Sequence, residues 1–188
     1  MTAPAAAYDA AQDPAYELLG LLAAEFAEGG IESRVLPGDD EVPAQLVVPL
    51  EDDDGRASTV HVCFLPDHAE PAVLQYLAVV DHEVLPQAIP QVARFLHLVN
   101  STLPLTGFEL GESVPAVVFR HNQAVSVRPL DPAVVAWSLS MIHHALTRFG
   151  PLVGEACAGA SIESLVSGYG RVMADFYAPA AEGREDGV

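Results

Sequence analysis

Gln87–Arg120, QAIPQVARFLHLVNSTLPLTGFELGESVPAVVFR, is the stretch whose reading decides the fold. Ile89, Val92, Leu96, Val99 and Leu103 recur at the spacing of one apolar helix face, and Pro104 forbids continuation. Phe108 with Leu110, and then Val117 with Phe119, alternate as half-buried strands do, with Gly111–Pro115 between them. No nucleophile, base and orienting group occur together in this stretch. It specifies a scaffold rather than a reaction.

Upstream, Asp13-Pro14 supplies an N-cap and a first-turn proline, and Gly29-Gly30 supplies a stop. The helix between them lines Tyr16, Leu19, Leu22, Ala23 and Phe26 along one face and turns Glu17, Glu25 and Glu28 mainly to water. From Ile31 to Val80 the period becomes two. IESRVL, AQLVVPL, STVHVCF and AVLQYLAVV read as four strands joined by turn-forming segments, with Asp54-Gly55 as a hairpin signal. Pro43 and Pro49 mark the second of these as an edge or interrupted strand, because proline cannot donate to a ladder.

Downstream, Asp131-Pro132 opens another helix that Gly150-Pro151 is expected to end. It carries two apolar stripes. Val135, Leu139, Ile142, Leu146 and Phe149 form the first; Val134, Trp137, Met141 and Ala145 form the second. A surface helix needs one stripe, so the second predicts contact with a partner or a second copy. A last amphipathic helix, Ser161–Tyr177, shows Ile162, Leu165, Tyr169, Val172 and Phe176 on one face, with Gly168 and Gly170 each weakening it by about 1 kcal/mol relative to alanine.

The expected fold is therefore α+β: an antiparallel sheet packed with helices in the order α-β-β-β(-β)-α-β-β-α, followed by a C-terminal helix. The expected divisions are a disordered leader over 1–12, the α+β domain over 13–155, a helical extension over 156–178 and a disordered tail over 179–188.

Hydrophobic residues make up 51% of the 188 and charged ones 18%, a globular balance. No apolar run approaches the roughly 20 residues that cross a bilayer, and the N-terminus lacks the basic start of a secretory signal, so a cytoplasmic protein is expected. Cys63 and Cys157 are too sparse for a disulfide scaffold. The net charge of −18 excludes an electrostatic grip on phosphate backbones and favours a basic protein partner. Thirteen of the 26 acidic residues fall within the first 54 positions, so one end of the molecule is expected to carry a concentrated negative field. Asp39, Asp40, Glu41, Asp52, Asp53 and Asp54 are the candidates for steering such a partner.

Catalytic and metal-binding patterns are incomplete. His61 and Cys63 share a strand face but lack the third and fourth ligands of a zinc site. His143 and His144 project about 100° apart on a helix and cannot hold one ion jointly. Asp81, His82 and Glu83 read as a solvated strand end, with Asp81 and His82 turned to opposite faces. The aspartates at 52–54 before Gly55 fail the EF-hand pattern, which needs a Glu where His61 stands. Ser138 and Ser140 read as helix-interior serines. No phosphate-binding glycine loop or nucleophile elbow is present, and no cofactor or metal is expected.

FLHLVNSTLPLTGFEL, VVFRH and LDPAVVAWSLSMIHHALTRFGPLV together resemble the YbjN family over roughly Asp13 to Glu155. Leu96 and Asn100, Gly107 and Phe108, and Arg120 and His121 occupy the places of the family's helix, strand-opening and strand-ending patterns. The resemblance implies a fold similar to type III secretion chaperones, usually dimeric, with no recognised catalytic residues. The expected function is thus a non-enzymatic chaperone-like or adaptor protein. It would hold a segment of a basic partner, nucleic-acid-binding proteins being the commonest, either by strand addition at a sheet edge or in a groove between helix and sheet. The alternatives are a regulatory domain sensing a small ligand and an enzyme using His61 or His82.

Overall fold

The computed structural model describes residues 13–52, 55–66, 72–111, 114–126 and 129–177. The leader over 1–12, Asp53, Asp54 and the tail over 179–188 lie outside these residues. The chain folds as helix α1 (Pro14–Glu28), strands β1 (Arg34–Leu36), β2 (Gln45–Glu51), β3 (Ala57–Phe64) and β4 (Ala72–Val80), helix α2 (Ile89–Asn100), strands β5 (Gly107–Leu110) and β6 (Val117–Val125), and helices α3 (Pro132–Cys157) and α4 (Ile162–Tyr177). All neighbouring strands are antiparallel, in the order β1-β2-β3-β4-β6-β5.

Helix ends follow local chemistry. The Asp13 and Asp131 carboxylates accept from the N–H groups of Ala15 and Ala133 at 2.8 and 2.9 Å, capping α1 and α3. Gly30 closes α1 in the left-handed region, φ 76°, with Gly30 N–H donating to Ala27 O and Ile31 N–H to Phe26 O.

The expected stop of α3 at Gly150-Pro151 does not occur. The helix continues to Cys157 and ends instead on Gly159, φ 85°, with Gly159 N–H donating to Ala156 O and Ala160 N–H to Glu155 O. An interior proline costs about 3 kcal/mol. Leu152, Val153, Ala156 and Cys157 are all buried beyond it, and each fully buried aliphatic side chain returns about 1.5–3 kcal/mol. Tertiary burial outweighs the local break.

All helices lie on one face of the sheet. Alternate residues of β4, namely Ala72, Leu74, Tyr76, Ala78 and Val80, are buried beneath them, as are Val60 and Val62 of β3 and Val117 and Phe119 of β6. Leu19, Leu22 and Phe26 of α1, the first stripe of α3, and Val92, Phe95, Leu96 and Val99 of α2 close the same core. Phe95 falls outside the expected α2 face, yet it is fully buried. Leu165 of α4 is buried too, and Tyr169 stacks on Phe149 of α3 at 6.2 Å. The boundary expected after Glu155 therefore falls inside α3, and α4 shares the core of the domain.

β2 is an interior, uninterrupted strand, contrary to expectation. Its outer neighbour β1 reaches only as far as Val47, so Pro49 pairs with Thr59 of β3 and faces no strand on its other side. A proline at that point costs no ladder bond to β1.

Candidate functional site: an open sheet face and a grooved helix layer

The face of the sheet away from the helices is uncovered among the described residues. Across it run Val47, His61, Leu77 and Arg120 in register on β2, β3, β4 and β6, with Cys63, Val73, Val79 and Val118 beside them. Val79 is 59% exposed, whereas Val47, at the β2 end of the row, is 5% exposed. Polar pairs are interleaved with these apolar side chains. Gln75 Nε2 donates to Asn122 Oδ1 at 3.1 Å, His61 Nδ1 and Gln45 Oε1 are hydrogen-bonded at 2.7 Å, and Arg120 Nε meets Glu109 Oε2 at 2.8 Å. Burial pushes the Cys63 thiol up and the nearby Arg120 opposes that shift, so the thiol stays protonated at neutral pH.

The two edge strands are short, β5 covering β6 only from Val117 to Arg120 and β1 covering β2 only from Gln45 to Val47. On β5, the Asn100 amide nitrogen donates to Phe108 O at 2.8 Å, and Phe108 N–H donates to Asn100 Oδ1 at 2.9 Å. The Asn100 side chain of α2 thus takes both outward backbone groups of Phe108, as a neighbouring strand would at that one residue. Gly107 makes this possible, since a Cβ there would overlap the Asn100 amide. On the other edge, β1 has three residues and is followed by Pro37.

Leu96, Asn100, Gly107, Phe108, Arg120 and His121 lie on α2, β5 and β6, which adjoin one another. Leu96 is buried in the core, Asn100 holds Phe108, Gly107 pairs with Arg120, and His121 stacks on Tyr76 at 5.5 Å. The His121 ring nitrogen also lies 3.3 Å from the Thr106 hydroxyl, and burial lowers its pKa.

The second α3 stripe divides. Val134 and Trp137 are 40% and 54% exposed, Met141 is half-buried, and Ala145 is buried against an apolar crevice of about 70 Å³. Leu103 and Leu105 of the α2–β5 loop and Met173 of α4 form the opposite walls. That volume lies far below the roughly 300 Å³ of small-molecule sites and suits part of one side chain.

A more polar cleft of about 520 Å³ opens between the β2–β3 turn and the far end of α3, bordered by Arg56, Asp81, His82, His143, Thr147 and Glu155. Asp81 and His82 both border it. They lie beyond the last residue of β4, where strand alternation no longer separates them, and both are exposed. His61 lies on the open sheet face instead, so the two histidines of the enzyme reading do not share a site. Among the described residues, no three His, Cys, Asp or Glu side chains are grouped to hold a metal ion.

The acidic candidates are not gathered at one end. Asp39, Asp40 and Glu41 lie in the β1–β2 connection and Asp52 in the β2–β3 turn, at opposite ends of β2. Asp39 is tied to its own loop, accepting from the N–H groups of Glu41 and Val42, which lower its pKa. Asp52 accepts from Arg56 N–H at 2.8 Å and lies 3.6 Å from its guanidinium. The charge is divided at a coarser level. Residues 1–88 hold 17 acidic residues and two arginines, a net −15, whereas residues 89–177 hold six and five, a net −1.

Sequence reasoning missed a buried polar network beneath α3. Tyr76, fully buried, donates to Gln123 Oε1 at 2.9 Å, and Ser138, also fully buried, lies 3.2 Å from the same oxygen and 3.1 Å from Val134 O. The signal was Gln123 on the inward side of a strand that also holds Val117 and Phe119.

Comparisons of the chain with family models, with curated proteins and with solved structures find no match in any of the three. Among the described residues, no helix is long and apolar enough to cross a membrane.

Proposed function

We propose that this chain is a non-enzymatic binding protein, chaperone-like or adaptor-like, that holds a segment of a basic partner protein across the open face of its sheet. One observation carries the reading: four helices pack on one sheet face, and among the described residues none packs on the other, which presents Val73, Leu77, Val79 and Val118 among polar side chains. Uncovered apolar patches with polar rims mark protein contact surfaces. The net −15 of residues 1–88, which supply β1 to β4, selects a basic partner and raises its association rate at low salt. Nucleic-acid-binding proteins are the commonest basic clients in the cytoplasm, where the reading sets the protein. The resemblance of Leu96, Asn100, Gly107, Phe108, Arg120 and His121 to the YbjN pattern supports the same reading, since those residues build the scaffold and leave no group poised for chemistry.

Affinity capture from cell extract, with wild type and Val79→Asp as baits, tests it. The wild type should retain a basic protein at low salt, release it at high salt, and lose it on Val79→Asp. Identical proteins on both baits would count against the open face.

The 520 Å³ cleft favours a second reading, a regulatory domain that senses a small ligand, because that volume falls within the range of metabolite sites. A metabolite that raises the thermal midpoint of wild type but not of His143→Ala would support it. An enzyme using His61 or His82 would lose turnover on His61→Ala or His82→Ala.

A further inference from the structure

We infer, resting on the reading that this chain holds a partner's segment, that the segment joins the sheet as a seventh strand beside Asn122 and Ala124, on the part of β6 that β5 leaves uncovered. β4 pairs with β6 along all nine of its residues, Val117–Val125, whereas β5 reaches only from Val117 to Arg120. Among the described residues, nothing pairs with the outer side of His121–Val125.

Register fixes which backbone groups are left over. Gly111 N–H donates to Ala116 O at 2.9 Å, so the alternate residues Ala116, Val118 and Arg120 turn their backbone N–H and C=O toward β5. Phe108 belongs to the other alternation, and its groups accordingly point away from β6 and reach Asn100. Continued past the end of β5, the first alternation turns the N–H and C=O of Asn122 and Ala124 outward. Both residues are exposed, and among the described residues these backbone groups have no partner. β5 does not extend to meet them, because it begins at Gly107 and the preceding Thr106 turns toward His121, its hydroxyl 3.3 Å from the ring nitrogen.

Such a row is matched by an extended backbone. Its length suits the roughly five residues of an ordinary strand. The row lies at the margin of the open face, where the Asn122 and Ala124 side chains stand beside Gln75 and Val73, so a segment anchored here continues onto that face. On the helix side it runs along the first turns of α3. Ser138 meets Gln123 there at 3.2 Å, and Trp137, 54% exposed, stands one turn before Met141 on the side of the α2–β5 loop. The bordering side chains Thr106, Asn122, Ala124 and Trp137 are uncharged, which suits uncharged residues along the paired part of the segment. The net charge of −18 favours basic residues at its ends and disfavours a second copy of this chain.

A short probe peptide of alternating valine and threonine with a lysine at each end tests this, read by amide hydrogen exchange of the full chain in nuclear magnetic resonance spectra. In the chain alone, the Asn122 and Ala124 amides should exchange fast and those of His121 and Gln123, which face β4, slowly. At about nine-tenths occupancy the probe should slow Asn122 and Ala124 about tenfold. Ala124→Pro removes an outward N–H and no bond to β4, so it should keep the far-ultraviolet circular dichroism spectrum of wild type and lose the probe. Absence of binding at millimolar probe overturns the inference. So does binding that leaves both amides exchanging freely, or an Ala124→Pro variant that binds as wild type does. Partner capture separates this step from the reading beneath it. A partner kept by Ala124→Pro and lost on Val79→Asp sinks the seventh strand alone, and the reverse pattern sinks the open face alone.

Discussion

Asn100 and Phe108 are joined by two hydrogen bonds, one in each direction, through which a helix side chain takes both backbone polar groups of one edge-strand residue. The arrangement ties the end of α2 to β5 across the α2–β5 loop that walls the crevice.

Asn100→Ala should lower stability by about 1–3 kcal/mol, because both Phe108 groups lose their partner. Gly107→Ala should also destabilise, since the new Cβ overlaps the Asn100 amide. The two effects must not add. In the Asn100→Ala background Gly107→Ala should cost markedly less, and a double-mutant cycle by urea unfolding measures the coupling. Additive costs would mean that Gly107 serves backbone conformation alone.

The strand and helix order was legible because each element carried its period and its caps, as Asp13-Pro14 and Asp131-Pro132 show. What the sequence hid was tertiary. Gly150-Pro151 looks like a stop, but burial of Leu152 and Val153 carries α3 past it, and the operative signal was Gly159. Pro49 looks like an edge marker, but its meaning depended on how far β1 extends. The outer α3 stripe was readable from Val134, Trp137 and Met141. The bare sheet face was not, because alternation in β4 shows that one face is buried without showing whether a second layer covers the other.

The buried network makes a graded prediction. Tyr76→Phe should cost about 1 kcal/mol, since Ser138 still bonds the Gln123 oxygen. Gln123→Met should cost more, up to about 3 kcal/mol, because it removes the acceptor shared by two buried hydroxyls. Chemical denaturation of both variants checks the order, and a larger loss for Tyr76→Phe would contradict it.

The two α4 glycines differ in surroundings. Gly170 has open space where a Cβ would stand, so Gly170→Ala should stabilise by about 1 kcal/mol. At Gly168 a Cβ would press on the Leu152 side chain of α3, so Gly168→Ala should gain less or lose. Thermal midpoints of the two variants decide it; equal gains would show that α4 does not pack closely on α3.

Stability should fall in mild acid. Burial lowers the pKa of His121, and burial followed by the neighbouring Arg148 and His143 lowers that of His144. The unfolded chain accepts protons at these positions that the folded chain resists. Stability is therefore full above the ordinary histidine value of about 6.5 and declines as pH drops below it. His121→Gln should shallow that decline in urea titrations between about pH 7.5 and about pH 5, and an unchanged slope would assign the loss to other groups.

The central claim is that the uncovered sheet face holds another protein. Its most direct test is a photo-crosslinking amino acid placed in living cells at Val79, on that face, and separately at Ala24, on the outward side of α1. Irradiation should yield a discrete adduct with a basic protein from Val79 and none from Ala24. Adducts from neither position, or equal adducts from both, would contradict the claim.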